Sequence, residues 1–146
     1  MLFKNDEASL KLEVFNYEFP ADGGDPTSDD RNWLVLRAMY ADEDGVVVKD
    51  SNSCILTYEL REMTAGLKVM NAGIKDRYES DFLEPYFSLS ARAGEGGEFW
   101  VSVSFALPNT MEDLDAAELE VRMTGAEMKG LIDELDALCA KFPDRT

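Results

Sequence analysis

The side chains in this sequence that can do chemistry are carboxylates. Asp and Glu number thirty, Lys and Arg fourteen, and histidine is absent. Without imidazole, Ser-His-Asp and Cys-His catalysis, histidine proton shuttles and nearly all zinc enzymes are excluded. Two carboxyls facing each other across a cleft would suffice for glycosidase-type acid–base chemistry. The pair to examine is Glu84 with Glu59 or Glu62. Thirty acids guarantee pairs somewhere, so cap, surface and ion-pair roles compete with that reading. Calcium chemistry has one partial motif, Asp42-Glu43-Asp44-Gly45. Tyr40 stands where the first EF-hand aspartate belongs, and Ser51 stands where the closing glutamate belongs, so the loop fails. A second acidic loop carries Asp22, Asp25, Asp29 and Asp30, which reads as a solvated loop. No dinucleotide fingerprint, P-loop or nucleophile elbow occurs, and GEGG at 94–97 lies between two strand patterns as a turn. No metal and no cofactor is expected.

The net charge of −16 restricts partners. Nucleic acid and anionic membrane surfaces both require cationic groups, and both are disfavoured. A basic protein partner is favoured, because long-range attraction raises the encounter rate. Solubility alone is the competing explanation of the acidity. Cys54 and Cys139 both fall on what read as apolar helix faces, which predicts reduced core thiols rather than a disulfide or a zinc site. The first residues show no signal peptide, and no window is apolar enough to span a membrane, so a cytoplasmic protein is expected.

Alternating patterns dominate the elements that position these residues. Residues 1–8 are polar and read as frayed. Leu10, Leu12 and Val14 share a face. The phase then slips to Phe15, Tyr17 and Phe19, which requires a bulge or a strand covered on both sides. A Pro/Gly/Asp-rich loop over 20–31 leads to strand 32–40, and ADEDG at 41–45 turns it into a returning strand. Leu56, Leu60, Met63, Leu67 and Met70 then fit one helical stripe, with Ser51 or Ser53 as a cap and Gly73 as a stop. A short strand is read in 77–83. Phe87, Leu89 and Ala91 form a hairpin with Phe99, Val101, Val103, Phe105 and Leu107. Both apolar sets share a face only if paired positions have an even sum, which demands an odd loop of three or five residues. Trp100 and Tyr86 fall on the opposite, serine-rich side. There Trp100 is either a binding anchor or covered by the first helix, the covered reading being slightly favoured. A polar connection over 109–118 precedes a strand at 119–123. Thr124 and Glu127 form a capping box for a helix from about Gly125 to Phe142, stopped by Pro143. The sum is a single α+β domain, a mostly antiparallel sheet of six to seven strands packed with two helices. No internal repeat is visible in the sequence.

The two acidic groups enter and leave strand 32–40, so they lie near its opposite ends, roughly 25–30 Å apart. Asp22, Asp25, Asp29 and Asp30 with Asp42, Glu43, Asp44 and Trp100 are the candidate partner-binding residues.

The order of segments resembles the WapI-type immunity proteins of bacterial polymorphic toxin systems. The matching pieces are YEFP at 17–20, Asp30-Arg31-Asn32-Trp33-Leu34, CILTYEL at 54–60, EPYFSL at 84–89 and a closing helix ending in Phe142-Pro143. Asn32, Trp33, Tyr58, Glu59, Glu84 and Pro85 are the family-pattern positions, and the usual pattern has Trp where Tyr58 stands. The resemblance implies a non-catalytic protein that neutralises the toxic C-terminal domain of a cognate toxin. Two other functions stay open on the residues: a small-molecule or peptide-binding module with a pocket between sheet and first helix, and a carboxylate-pair hydrolase.

Overall fold

Period-two alternation governs most of the chain. The computed structural model, which describes residues 1–107 and 116–145, turns it into eight strands and two helices among those residues. Strands β1 (Leu2–Lys4), β2 (Ser9–Tyr17), β3 (Trp33–Ala41) and β4 (Val47–Leu56) form one antiparallel sheet, and helix α1 (Thr57–Asn71) follows it. Strands β5 (Arg77–Glu79), β6 (Phe87–Ala93), β7 (Phe99–Ala106) and β8 (Ala116–Met123) form a second, followed by helix α2 (Gly125–Lys141). The α+β class agrees with the sequence. The arrangement differs: there are two four-stranded sheets instead of one sheet of six to seven strands. The four-strands-then-helix order also occurs twice, although no repeat is legible in the residues. Periodicity reports which face of a strand is buried, and it carries no information on which strands pair.

One apolar cluster joins the inner faces of both sheets with both helices. Phe3, Leu10, Leu12, Leu34 and Leu36 come from the first sheet, and Phe87, Val101 and Phe105 from the second. Leu60, Met63 and Leu67 enter it from α1, and Met128, Ile132 and Leu135 from α2. Between the helices, Lys68 Nζ and Asp136 Oδ1 form an ion pair at 2.8 Å, and Thr64 Oγ1 lies 3.6 Å from Cys139 Sγ. The sheets meet where Asn5 Nδ2 donates to the Glu120 carbonyl of β8.

The sequence-derived register is present. Pairings slip between Val14 and Asn16, leaving Phe15 as the extra residue of a bulge. In the β6–β7 hairpin Ala93 pairs with Phe99 and Phe87 with Phe105, an even sum closed by a five-residue loop. The Thr124–Glu127 capping box opens α2: the Glu127 backbone N–H donates to Thr124 Oγ1 at 3.1 Å, and the Thr124 N–H donates to Glu127 Oε1 at 3.0 Å. Gly73 adopts φ +75° just after α1, and its N–H donates to the Met70 carbonyl.

Three expectations are corrected. Residues 1–8 are not frayed: Phe3 is fully buried in β1, and Asn5 Oδ1 accepts from Glu7 and Ala8 N–H to close the turn into β2. Two apolar residues at a spacing of two are too short a run to declare a strand. Cys54 and Leu56 belong to β4, and α1 begins only at Thr57, with neither Ser51 nor Ser53 as its cap. Leu56 stands four residues before Leu60, so its burial fits the end of a strand as well as a helical stripe. Trp100 is not covered by α1. It lies on the outward face of β7 opposite Arg122 and Arg92, with both guanidinium groups over its ring, at 5.8 and 5.3 Å from the centroid. Tyr86, expected beside it, packs instead against the core. The polar connection expected over 109–118 lies outside the described residues up to 115, and β8 already begins at Ala116.

Gly66 marks a close crossing, because a Cβ there would lie 2.3 Å from Tyr78 Cδ1 of β5. In an open helix Gly→Ala stabilises by about 1 kcal/mol. Here the Tyr78 ring must move, and overpacking costs about 1–3 kcal/mol. Gly66→Ala is therefore expected to lower the melting temperature, as read by circular dichroism.

Candidate partner-binding site

The first turn of α1 must satisfy backbone N–H groups that have no partner within the helix. Glu59, only 3% exposed, does this from inside the helix. Its Oε1 accepts from Leu56 N–H at 2.9 Å, and its Oε2 accepts from Leu83 N–H at 2.9 Å. One carboxylate thus ties the β4–α1 junction to the segment that runs through Glu84 and Pro85 into β6. With both oxygens engaged by backbone, Glu59 is a structural group; Glu84 is half-buried and Glu62 exposed near it.

The other segments that resemble the family meet at the same corner. Trp33 opens β3 and pairs with Leu56. Asn32 is fixed by a reciprocal pair of hydrogen bonds: its Nδ2 donates to the Arg145 carbonyl at 3.0 Å, and Arg145 N–H donates to Asn32 Oδ1 at 2.7 Å. Tyr17, at the end of β2, donates its hydroxyl to the Pro143 carbonyl at 2.6 Å, and its ring lies under the Arg145 guanidinium at 3.4 Å. Asp144 accepts from Thr57 Oγ1 at 2.7 Å and from Arg61 Nη1 at 2.8 Å on both carboxylate oxygens. The tail after α2 is therefore a strap fastened to β2, β3 and the start of α1. Asp144, Arg145, Arg61 and Leu83 escaped the sequence reading. Their hydrogen-bond partners are 24 to 126 residues away, and only the Phe142-Pro143 stop hinted that the tail had a role.

The outer rim of this corner is acidic. Tyr58 hydroxyl donates to Asp29 Oδ2 at 3.3 Å. Exposed Asp29 and Glu62 act on Tyr58, and half-buried Glu84 follows Leu83, which is 67% exposed, on the segment tied to Glu59. Partial burial, then the charge of Asp29, raises the Tyr58 phenol above its ordinary range. Burial, reinforced by Glu62 and Glu59, pushes Tyr78 up to about 12. Burial, reinforced by Glu59 and Glu84, pushes the Cys54 thiol up to about 12, so it stays an inert core thiol at neutral pH. The Thr57 hydroxyl and Arg61 hold Asp144 below the usual carboxylate range.

The two sequence-predicted acidic groups are not brought together. Asp22, Asp25, Asp29 and Asp30 sit before β3, and Asp42, Glu43 and Asp44 in the turn after it. Several of these acids build their own loops. Asp25 Oδ1 accepts from Thr27 N–H and hydroxyl, Asp30 Oδ2 from Asp25 N–H, and Asp42 Oδ1 from Asp44 and Val46 N–H. The Thr27 bonds also lower the Asp25 pKa. Trp100 belongs to neither group. Among the described residues, no set of three or more His, Cys, Asp or Glu could hold a metal ion, and no helix is long and apolar enough to cross a membrane.

Residues 1–143 match the model of the immunity protein WapI-like family. No curated protein matches in sequence. Among solved structures, the fold is similar to that of WHY1 from Arabidopsis thaliana, with a TM-score of 0.51, 15% identity, and coverage of 97% of this chain and 88% of that one. Weaker likenesses are to MRP1/MRP2 of Trypanosoma brucei (TM-score 0.45, 14% identity, 92% and 86% covered) and to the plant transcriptional regulator PBF-2 (0.46, 18%, 96% and 79%). At such identities the likeness is one of fold.

Two outcomes follow from the corner. Glu59→Ala leaves two backbone donors without their partner and is expected to cost about 2–5 kcal/mol. Glu59→Gln, which can accept only one N–H through its single carbonyl, should fall between. Chemical denaturation measures both, and an unchanged midpoint for Glu59→Gln would remove the structural role. For Asp144 the folded pKa is depressed, so its contribution is present above the unfolded value of about 3.9 and is lost as pH falls through the folded one. The melting-temperature gap between the parent and Asp144→Asn should therefore be open at pH 6 and close in strong acid.

Proposed function

Because the chain belongs to the immunity protein WapI-like family, we propose that it binds and neutralises the toxic domain of a cognate bacterial toxin, without catalysis, in the cytoplasm of the producing cell. The observation that carries this reading is the convergence of the family-pattern positions Asn32, Trp33, Tyr58, Glu59, Glu84 and Pro85 on one corner with an acidic outer rim. Asn32 and Glu59 are spent inside the protein on holding that corner. Tyr58 and Leu83 then offer apolar contact, the kind of central anchor that dominates interface energies. Asp29, Glu62 and Glu84 offer charge.

The partner this rim fits is basic. A net charge of −16 steers such a protein in from a distance, and the rim orients it on contact. If the toxin is a nuclease, its cationic groove is the natural seat for these carboxylates, which would stand in for substrate phosphates. Asp22, Asp25 and Asp30 extend the rim along the loop before β3. Asp42, Glu43 and Asp44, at the far end of that strand, add to the long-range field only, and Trp100 is left outside the contact. At a net charge of −16, nucleic acid and anionic membrane remain poor partners.

The test is titration calorimetry of the chain against its cognate toxin domain. Parent protein should bind at micromolar concentration or tighter at low salt, and weaken as salt rises. Glu62→Lys with Glu84→Lys should weaken it by about tenfold or more and flatten the salt dependence. Absence of binding at micromolar concentration and low salt would sink the reading.

A further inference from the structure

Positive charge has few places to gather on a chain with thirty acids and fourteen bases. One is the outward face of the first sheet. Lys4, Lys11, Arg37 and Lys49 all project there and are exposed, against two carboxylates, Glu13 on the face and Asp50 at its edge. Elsewhere Arg61, Lys68, Arg92, Arg122 and Lys129 each have an ion-pair partner. Among the described residues Lys4, Lys11, Arg37 and Lys49 have none. Exposed apolar side chains collect on the same face: Leu2, Phe15, Met39 and Val47 are 62%, 48%, 38% and 51% exposed. They include four of the seven large apolar residues exposed among the described residues, and Val46, in the adjoining turn, is a fifth.

The register gives this face a shape. Lys11 pairs with Met39 and Met39 with Lys49, so two ammonium groups flank one apolar side chain across three strands. One pair further on, Glu13, Arg37 and Ser51 lie side by side, and the Arg37 guanidinium covers the Phe15 ring at 3.4 Å. Lys11, Arg37, Lys49 and Met39, with the carboxylates of Glu13 and Asp50, are among the residues that line a groove of about 670 Å³, so its cations outnumber its acids. Strands lie about 4.8 Å apart, so the backbones carrying Lys11 and Lys49 are about 10 Å apart, the width of one helix.

We infer that this groove docks an acidic amphipathic segment of a protein, its apolar stripe on Met39 and its carboxylates on Lys11 and Lys49. The rest of the chain does not forbid this. At physiological salt, charges beyond about 8 Å are largely screened, so the cations of the face dominate at contact. A concave groove seats a segment, whereas an anionic bilayer would require the apolar side chains to protrude from the face. The site is separate from the acidic corner and opposite to it in sign, so it stands or falls independently of toxin binding.

The probe is a fluorescein-labelled amphipathic helix of about five turns built from Glu and Leu, with a Lys-for-Glu counterpart as control. Anisotropy at physiological salt should show saturable binding of the acidic peptide only. Lys11→Glu with Lys49→Glu, both on exposed positions and checked by an unchanged melting curve, should weaken it about tenfold or more, as should ~0.5 M salt. Failure of the acidic peptide to bind would overturn the inference, as would equal binding of both peptides or indifference to the double substitution. Phosphatidylglycerol vesicles are the remaining arm: binding to them that Lys11→Glu with Lys49→Glu abolishes, while peptide binding is unaffected, would reassign the face to lipid.

Discussion

The hydrogen bonds from Leu56 and Leu83 to a single buried carboxylate tie the end of the first sheet to the segment that enters β6, over the apolar core that the two halves share. Each half is four strands and a helix. Glu59 spans that division at the point where the first half ends its sheet and begins its helix. Burying a carboxylate is expensive unless each oxygen is hydrogen-bonded. Here one oxygen caps the helix that carries it and the other holds the approach to β6, so both costs are offset at once. The tail strap, with Asp144 on Thr57 and Arg61 and Arg145 on Asn32 and Tyr17, closes the same corner from the third side.

A corner fixed from within can present a surface of fixed shape. Tyr58, Leu83, Glu62 and Glu84 inherit their positions from Glu59 and from the start of α1, and Asp29 is placed by the loop that ends at Asn32. This is the pre-organisation that lowers the ordering cost of association. The two outward sheet faces divide the remaining chemistry. The second sheet shows paired charges, Arg92 with Glu120 and Arg122 with Glu98, around Trp100. The first sheet shows Lys11, Arg37 and Lys49, which have no ion-pair partner among the described residues, with Glu13 and Asp50 beside them. An acidic protein with one cationic side is strongly dipolar, and dipolar proteins select the side they present to a charged partner.

Elements whose information is local were legible in the sequence. The capping box and broad stripe of α2 specified both its ends to within a residue, and parity alone selected the five-residue loop between β6 and β7. The phase slip at Phe15 announced a bulge. Elements that depend on distant partners were not legible. β1 is three residues long, and its burial is decided by β2 and by the core beneath. The start of α1 was misplaced because Leu56 satisfies the strand and the helical period together, and the residue that settles the matter is the glutamate three places on. The family-pattern positions lie at one corner, but their division into groups hydrogen-bonded within the protein (Asn32, Glu59) and half-buried ones at its edge (Tyr58, Glu84) depends on partners distant in the chain. The acidic loops illustrate the opposite error, since Asp25, Asp30 and Asp42 read as free charge and are partly consumed in shaping their own turns.

Amide hydrogen exchange of the chain, alone and with its cognate toxin domain, addresses the location of the interface most directly. New protection should appear at Asp29, at Tyr58 through Glu62 and at Leu83 and Glu84, with β7 around Trp100 unchanged. Protection confined to other surfaces, with the α1 corner exchanging as it does in the free protein, would contradict the assignment.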